Sequence, residues 1–337
     1  MAQNQSLQAV GAKIRCRYGG FLQKEDYQTL AGCSSLSDFI ATLAPFPFYQ
    51  GITKLPPSTL SGKTLGIYLE QQYLADMASL FRFDLFLGSP LYRLVMLQIT
   101  LEIVLSFARH YNRGLEFPRP QIPSFFEKRL DFDLDAFSHA TQYAQIIPLF
   151  GGHPFQKALA ANIPLGTAPV NIARLEQDLM QVHLQTIQEE FLQKKENSPL
   201  GEIFSLMIDL ENIQKLLRCK QVFTTYSSGE TPLFLEGGNY TRGQLKQWFS
   251  LSQKQLEQKL KATPYGEFLS SDLPWDFALE GLLYSRLKKI IRTTSHIPTM
   301  LFAYCLLSKH QKECLTVIAR GIEYRMPQGD IMKLLAL

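Results

Sequence analysis

Three short stretches decide the fold: "PFPF" (45–48), "GHPF" (152–155) and "ATPYG" (262–266). Pro47-Phe48, Pro154-Phe155 and Pro264-Tyr265 stand 107 and then 110 residues apart. Eight and four residues before each proline lie large apolar side chains: Phe39 and Leu43, Ile146 and Phe150, Leu256 and Leu260. A separation of four is one helical turn, so each station is expected to end an amphipathic helix. Proline turns the residue before it out of helical geometry, and the neighbouring aromatic ring can close the apolar face.

Further markers keep the same step. Leu-Glu recurs at Leu69-Glu70, Leu175-Glu176 and Leu279-Glu280, and Ser-Pro-Leu at 89–91 and 198–200. Serine followed by proline is a helix-start signal: the hydroxyl caps, and proline suits the first turn. Glu102, Glu211 and Glu313 each precede an arginine by seven residues (Arg109, Arg218 and Arg320). Seven residues span about 10.5 Å of helix, so each member should reach a neighbouring helix rather than its partner. "AKIRCR" (12–17) resembles "KLLRCK" (215–220), as if the chain opened midway through the same unit. The expected organisation is three related units, 1–88, 89–197 and 198–297. A C-terminal helical segment, 298–337, should pack near the N-terminus.

The units read as all-α. "TLGIYLEQQYLADMASLFRF", "VNIARLEQDLMQVHLQTIQEEFLQKK" and "DFALEGLLYSRLKKIIRTT" place apolar residues at three-and-four spacing. The single strand-like pair, "QVFTTYSS" with "TPLFLEGG" (221–238), could form one short hairpin inside an insertion. Proline, glycine and serine mark connectors at 54–64, 116–125 and 227–239.

Composition narrows the functional class. Thirty-four Lys and Arg against thirty Asp and Glu leave a net charge of +4, too balanced to make nucleic acid a partner. Cys16, Cys33, Cys219, Cys305 and Cys314 have no C-x2-C spacing and read as buried or half-buried free thiols of a reducing compartment. The first twenty residues have no apolar core of a signal peptide. The most apolar stretch, "PLYRLVMLQITLEIVLSF", is interrupted by Arg93, Gln98 and Glu102, which suits a buried helix with a polar stripe. A soluble, cytoplasmic protein is expected, meeting a membrane only through partners.

Motifs for chemistry fail on inspection, so no catalytic residue, cofactor or metal is expected. "SGKT" (61–64) has Pro57 where a phosphate loop needs glycine, and no buried strand before it. Asp131, Asp133 and Asp135 in "DFDLD" lack the glycine and closing glutamate of a calcium loop. The six histidines show no metal-ligand spacing, and His153 reads as a turn residue beside Pro154. Eight basic side chains between 286 and 325, against Glu313 and Glu323, make a basic bias that could face an acidic partner or lipid headgroups. Its densest part is Arg286, Lys288, Lys289 and Arg292, the candidate interface residues.

"DLENIQKLLRCK" (209–220) resembles the D-x-x-N-[IL]-x3-[IL]-R-x-K segment of the C subunit of V-type/A-type rotary ATPases, called subunit d in eukaryotes, at Asp209, Asn212, Ile213, Arg218 and Lys220. "AYCLLSKHQKECLTVIARG" (303–321) is similar to that family's C-terminal helix at Ala303, Tyr304, Ile318, Ala319 and Gly321. The family's acidic K-E-x-E cluster is replaced by Ser308, Lys309, His310 and Gln311, and a usual asparagine by Cys314. The resemblance implies an all-helical funnel of three units around a pseudo-threefold axis. It would seat the central-shaft subunits of the soluble ATPase head in its cavity and rest on the membrane rotor ring at the cytoplasmic face. Such a subunit transmits torque for proton or sodium transport and does no bond chemistry. An unrelated helical adaptor, and an all-helical enzyme with a pocket between units, stay open at this point.

Overall fold

The computed structural model describes residues 2–82, 89–166, 168–187, 189, 199–222, 234–266, 275–335 and 337. Among these are sixteen α-helices and no strand. They are α1 (Ala2–Gly19), α2 (Lys24–Ala31), α3 (Leu36–Leu43), α4 (Gly62–Phe81), α5 (Pro90–Asn112), α6 (Ser124–Glu127), α7 (Leu134–Ser138) and α8 (Tyr143–Ile146). There follow α9 (Gln156–Ala161), α10 (Ile172–Ile187), α11 (Pro199–Val222), α12 (Arg242–Ser250), α13 (Gln253–Lys261), α14 (Trp275–Thr293), α15 (Ile297–Glu323) and α16 (Gln328–Lys333). Residues 223–233 of the expected hairpin, and Ser198 of the second Ser-Pro-Leu, lie outside the described residues.

The described parts of the three long helical stretches fall on α4, α10 and α14, as their periodicity predicts, while 83, 188 and 190–195 lie outside the described residues. Capping sets several boundaries. Ser89 Oγ accepts from the Tyr92 N–H with Pro90 in the first turn of α5. Thr241 and Ser252 open α12 and α13 with reciprocal capping boxes to Gln244 and Gln255. The element order also recurs. Two series match: α1–α2–α3–Pro47–α4 and α11–α12–α13–Pro264–α14 each run long helix, two short helices, station and long helix, while the middle series carries the additional short helices α6 and α9. Phe39, Leu43, Ile146, Phe150, Leu256 and Leu260, the six apolar residues before the stations, are all buried.

The chain divides into two compact units, one of Met1–Met77 with Asn197–Leu337 and one of Ala78–Glu196. In the first, α15 packs on α14, α1, α2, α3 and α11, and α16 lies on α2. One core there mixes both ends of the sequence: Leu30, Phe39, Ile52 and Leu65 meet Leu315, Ile318, Ala319 and Ile331. Gly321 lets α16 approach, since a Cβ there would stand 2.6 Å from Ile331. A second core joins Ile213, Leu216, Leu245, Trp248, Leu256, Leu260 and Leu279 of α11–α14.

In the second unit, α10 packs along α5. The α5 helix is long and apolar enough to cross a bilayer, but 78% of its most apolar stretch is buried within the structure. That is the position of a core helix, as the polar stripe suggests. Beside it, Phe132 stacks on Phe150 at 4.7 Å, and Phe137 meets Phe107, Phe117 and Phe150 edge-on or tilted.

Candidate functional site

The α11 motif is a clamp. Asp209 and Asn212 are fully buried one turn apart, on the side of α11 that faces the returning segment 234–240. The Asp209 carboxylate accepts the Asn239 backbone N–H at 2.9 Å, the Asn239 side-chain amide at 2.8 Å and the Tyr265 hydroxyl at 2.6 Å. Asn212 binds the Leu235 backbone both ways, donating to its carbonyl at 3.0 Å and accepting its N–H at 2.9 Å. Buried polar groups need such partners. Lys220 lies over the Phe249 ring at 5.1 Å, and Arg218 is exposed. So the motif's polar residues anchor a loop and the third station to α11.

A matching clamp stands on α15. Gln311 accepts the Leu22 N–H at 2.9 Å and donates to the Tyr49 hydroxyl at 2.8 Å, beside the first station. Leu22 and Leu235 each follow a phenylalanine and each give their backbone N–H to a buried side-chain amide. Tyr304 donates to Asp76 at 2.7 Å, and Arg17 pairs with the same carboxylate at 2.5 Å. Burial pushes the Asp76 carboxyl up, while the Tyr304 bond and the Arg17 charge act the other way. Tyr304 itself is raised, by burial first and then by the Asp76 charge. In the altered segment 308–311, His310 stacks on Tyr284 with ring centroids 3.5 Å apart. Cys314 meets His310 at 3.5 Å, and burial pushes its thiol up to about 12.

The basic candidates divide. Lys288, Lys289 and Arg292 line one groove of about 390 Å³ along α14, with Gly281, Ser285, Thr293 and Leu337. Arg286 is exposed and is not among the groove's lining residues. Two residues are about 200° around a helix, which separates Arg286 from Lys288. Burial lowers the Lys288 ammonium, Cys314 opposes that, and the Arg292 charge adds to it. The Arg292 guanidinium sits 5.8 Å from the Tyr18 ring.

Other sequence expectations resolve simply. Ser61 caps α4 by accepting the Thr64 N–H at 3.1 Å. The Gly62 N–H donates to Glu323 of α15 at 3.0 Å, so a protein carboxylate already occupies the helix start that a phosphate would need. Asp133 caps α7, and Asp135 pairs with Arg119 at 2.6 Å. His153 is buried, its ring accepting the Phe155 N–H within the turn. No cluster of three or more metal-ligating side chains occurs among the described residues. One expectation is extended and another changes. Glu102, Glu211 and Glu313 each meet a residue one turn away on their own helix (Gln98, Lys215 and Lys309), while Arg320 lies beside Gly62 of α4. Cys16 is exposed, whereas the other four cysteines are buried or half-buried.

Buried polar side chains clamp segments together, and the architecture is helical throughout the described residues. The family described as ATP synthase (C/AC39) subunit matches residues 10–334, and the chain belongs to that family. Its members are non-catalytic structural subunits of the V/A-type ATPase complex, as the α11 and α15 motifs imply. No curated protein matches the chain.

Proposed function

We propose that this chain is the central-stalk socket of a V-type/A-type rotary ATPase, coupling the rotor shaft to the membrane rotor ring for ATP-linked proton or sodium transport. Family membership across residues 10–334 carries the reading. The burial of all six apolar residues before Pro47, Pro154 and Pro264 supports the second part of it, that 1–88, 89–197 and 198–297 are equivalent units around a pseudo-threefold axis, with 298–337 closing against the first. Such a funnel leaves a depression for the shaft subunits at one end. Its other end meets the ring at the cytoplasmic face, so that membrane association runs through partners.

A torque-bearing joint must not slip, so shaft and ring contacts together should bury more than the roughly 1,600 Å² of an ordinary complex. Three units cannot match the symmetry of a ring of many identical subunits, so that contact is distributed and partly electrostatic. Arg286, Lys288, Lys289 and Arg292 are the proposed contributors, and the contact weakens as salt shortens the screening length to about 8–10 Å and below. The test is reconstitution of the purified chain with the soluble head and the detergent-solubilised ring. The ring is expected to join the head only when the chain is present. Equal joining without it overturns the reading.

A further inference from the structure

The groove along α14 gathers three positive side chains from one helix. Lys288, Lys289 and Arg292 line it together, and no described carboxylate lies within ion-pair distance of any of them. Lys288 and Arg292 stand one turn apart, a like-charge spacing that weakens a helix by a few tenths of a kcal/mol. The repulsion is held in place: Lys288 is half-buried, and Arg292 leans on the Tyr18 ring. Ser285 adds a hydroxyl to the lining, and a Cβ on Gly281 would meet nothing within 4 Å, so that end of the groove is open. The volume, about 390 Å³, lies in the range of small-molecule sites and exceeds the needs of a lone ion.

We propose that this groove binds a phosphate monoester group, either free in solution or carried on a lipid headgroup. Charge decides between anion classes. A single carboxylate brings one negative charge to three cations, whereas a phosphate monoester brings about −1.5 to −2 near neutral pH and three acceptor oxygens. Arg292 can take two of those oxygens side by side, the geometry that favours guanidinium at phosphate. Lys288 and Lys289 supply point charges, and the Ser285 hydroxyl donates. The Thr293 hydroxyl is already given to the Lys289 carbonyl at 3.0 Å and contributes an acceptor only. An anion here also opposes the downward pull that burial and Arg292 exert on the Lys288 ammonium. The inference goes beyond the coupling role and stands without it.

The full chain is titrated calorimetrically with inorganic phosphate, and sedimented with phosphatidylcholine vesicles containing phosphatidic acid or phosphatidylglycerol. Saturable phosphate binding is expected. It should weaken about tenfold in Lys288→Gln and in Arg292→Gln, each checked for an unchanged melt, and hold in Arg286→Gln, which lies outside the groove. Sedimentation with phosphatidic acid but not phosphatidylglycerol, reversed by inorganic phosphate, assigns the headgroup as the source. Saturable phosphate binding without sedimentation assigns a free phosphate compound. Absence of both, or an equal loss in Arg286→Gln, overturns the proposal in favour of diffuse surface charge.

Discussion

The Tyr265 hydroxyl donates to the Asp209 carboxylate across 2.6 Å, joining the last proline–aromatic station to a helix 56 residues earlier. Asp209 is fully buried and also holds both donors of Asn239. Asp209→Ala should therefore strand three donors and cost about 3–5 kcal/mol in urea unfolding, since each unsatisfied buried group costs about 1–3. Tyr265→Phe removes one bond and keeps the ring, so about 1 kcal/mol is expected. A double variant whose losses simply add would show that the pair is not coupled.

At the start of α4, Glu323 accepts the Gly62 N–H, and a Cβ on Gly62 would stand 2.6 Å from its other oxygen. Gly62→Ala should displace that carboxylate and cost about 1–2 kcal/mol, the worth of a charge-assisted bond at a helix N-terminus. Lys63 is exposed, and Lys63→Ala should stay within about 0.5 kcal/mol. A larger loss at Lys63 than at Gly62 would restore a role for the "SGKT" lysine.

The long helices and the stations were legible because they repeat apolar spacing over many turns, as in Leu256 and Leu260 before Pro264. The short helices α6, α7 and α9 were not, since four to six residues carry too few turns for a period to register. Asp76 was invisible as well. Its partner Tyr304 lies 228 residues away, and only folding brings α4 and α15 together. The basic face was half legible: Lys288, Lys289 and Arg292 share one helix side by spacing alone, whereas the count sets Arg286 opposite Lys288 but beside Lys289, so only the structure shows that it is outside the groove lining. The Glu-x6-Arg pattern left the same-helix partners Gln98, Lys215 and Lys309 unread, because a recurring distance does not say which neighbour each glutamate also meets.

The Asp76 carboxyl gives a pH signature. An unfolded aspartate titrates near about 3.9, and burial raises this one in the fold. The native state then holds the proton more tightly than the unfolded chain. The site's contribution to stability is present below about 3.9 and is lost as pH rises through the folded value. Asp76→Asn abolishes that limb while keeping an acceptor for Tyr304. The variant should therefore gain on the wild type as urea unfolding is moved from about pH 4 towards neutrality. A difference that stays constant over that range would mean that Arg17 and Tyr304 offset the burial.

The two ends of the sequence share a core, which makes α15 the piece on which the first unit depends. Leu301, Leu307, Leu315, Ile318 and Ala319 on α15 are at most 2% exposed, and α1, α2 and α3 cover part of that surface. Gln311 adds the polar tie, holding the Leu22 backbone and the Tyr49 hydroxyl from the far end of the chain. Ending the chain after residue 297 removes all of this at once. Each fully buried leucine is worth about 1.5–3 kcal/mol, so the loss exceeds the whole stability of many domains, and the remainder should not melt cooperatively. Gln311→Ala is the milder form. It leaves the Leu22 N–H without its acceptor and should cost about 1–3 kcal/mol while the fold persists. Thermal denaturation of the two variants beside the wild type reads both effects. A truncated chain that melts at the wild-type temperature would show that the first unit stands without its C-terminal helix.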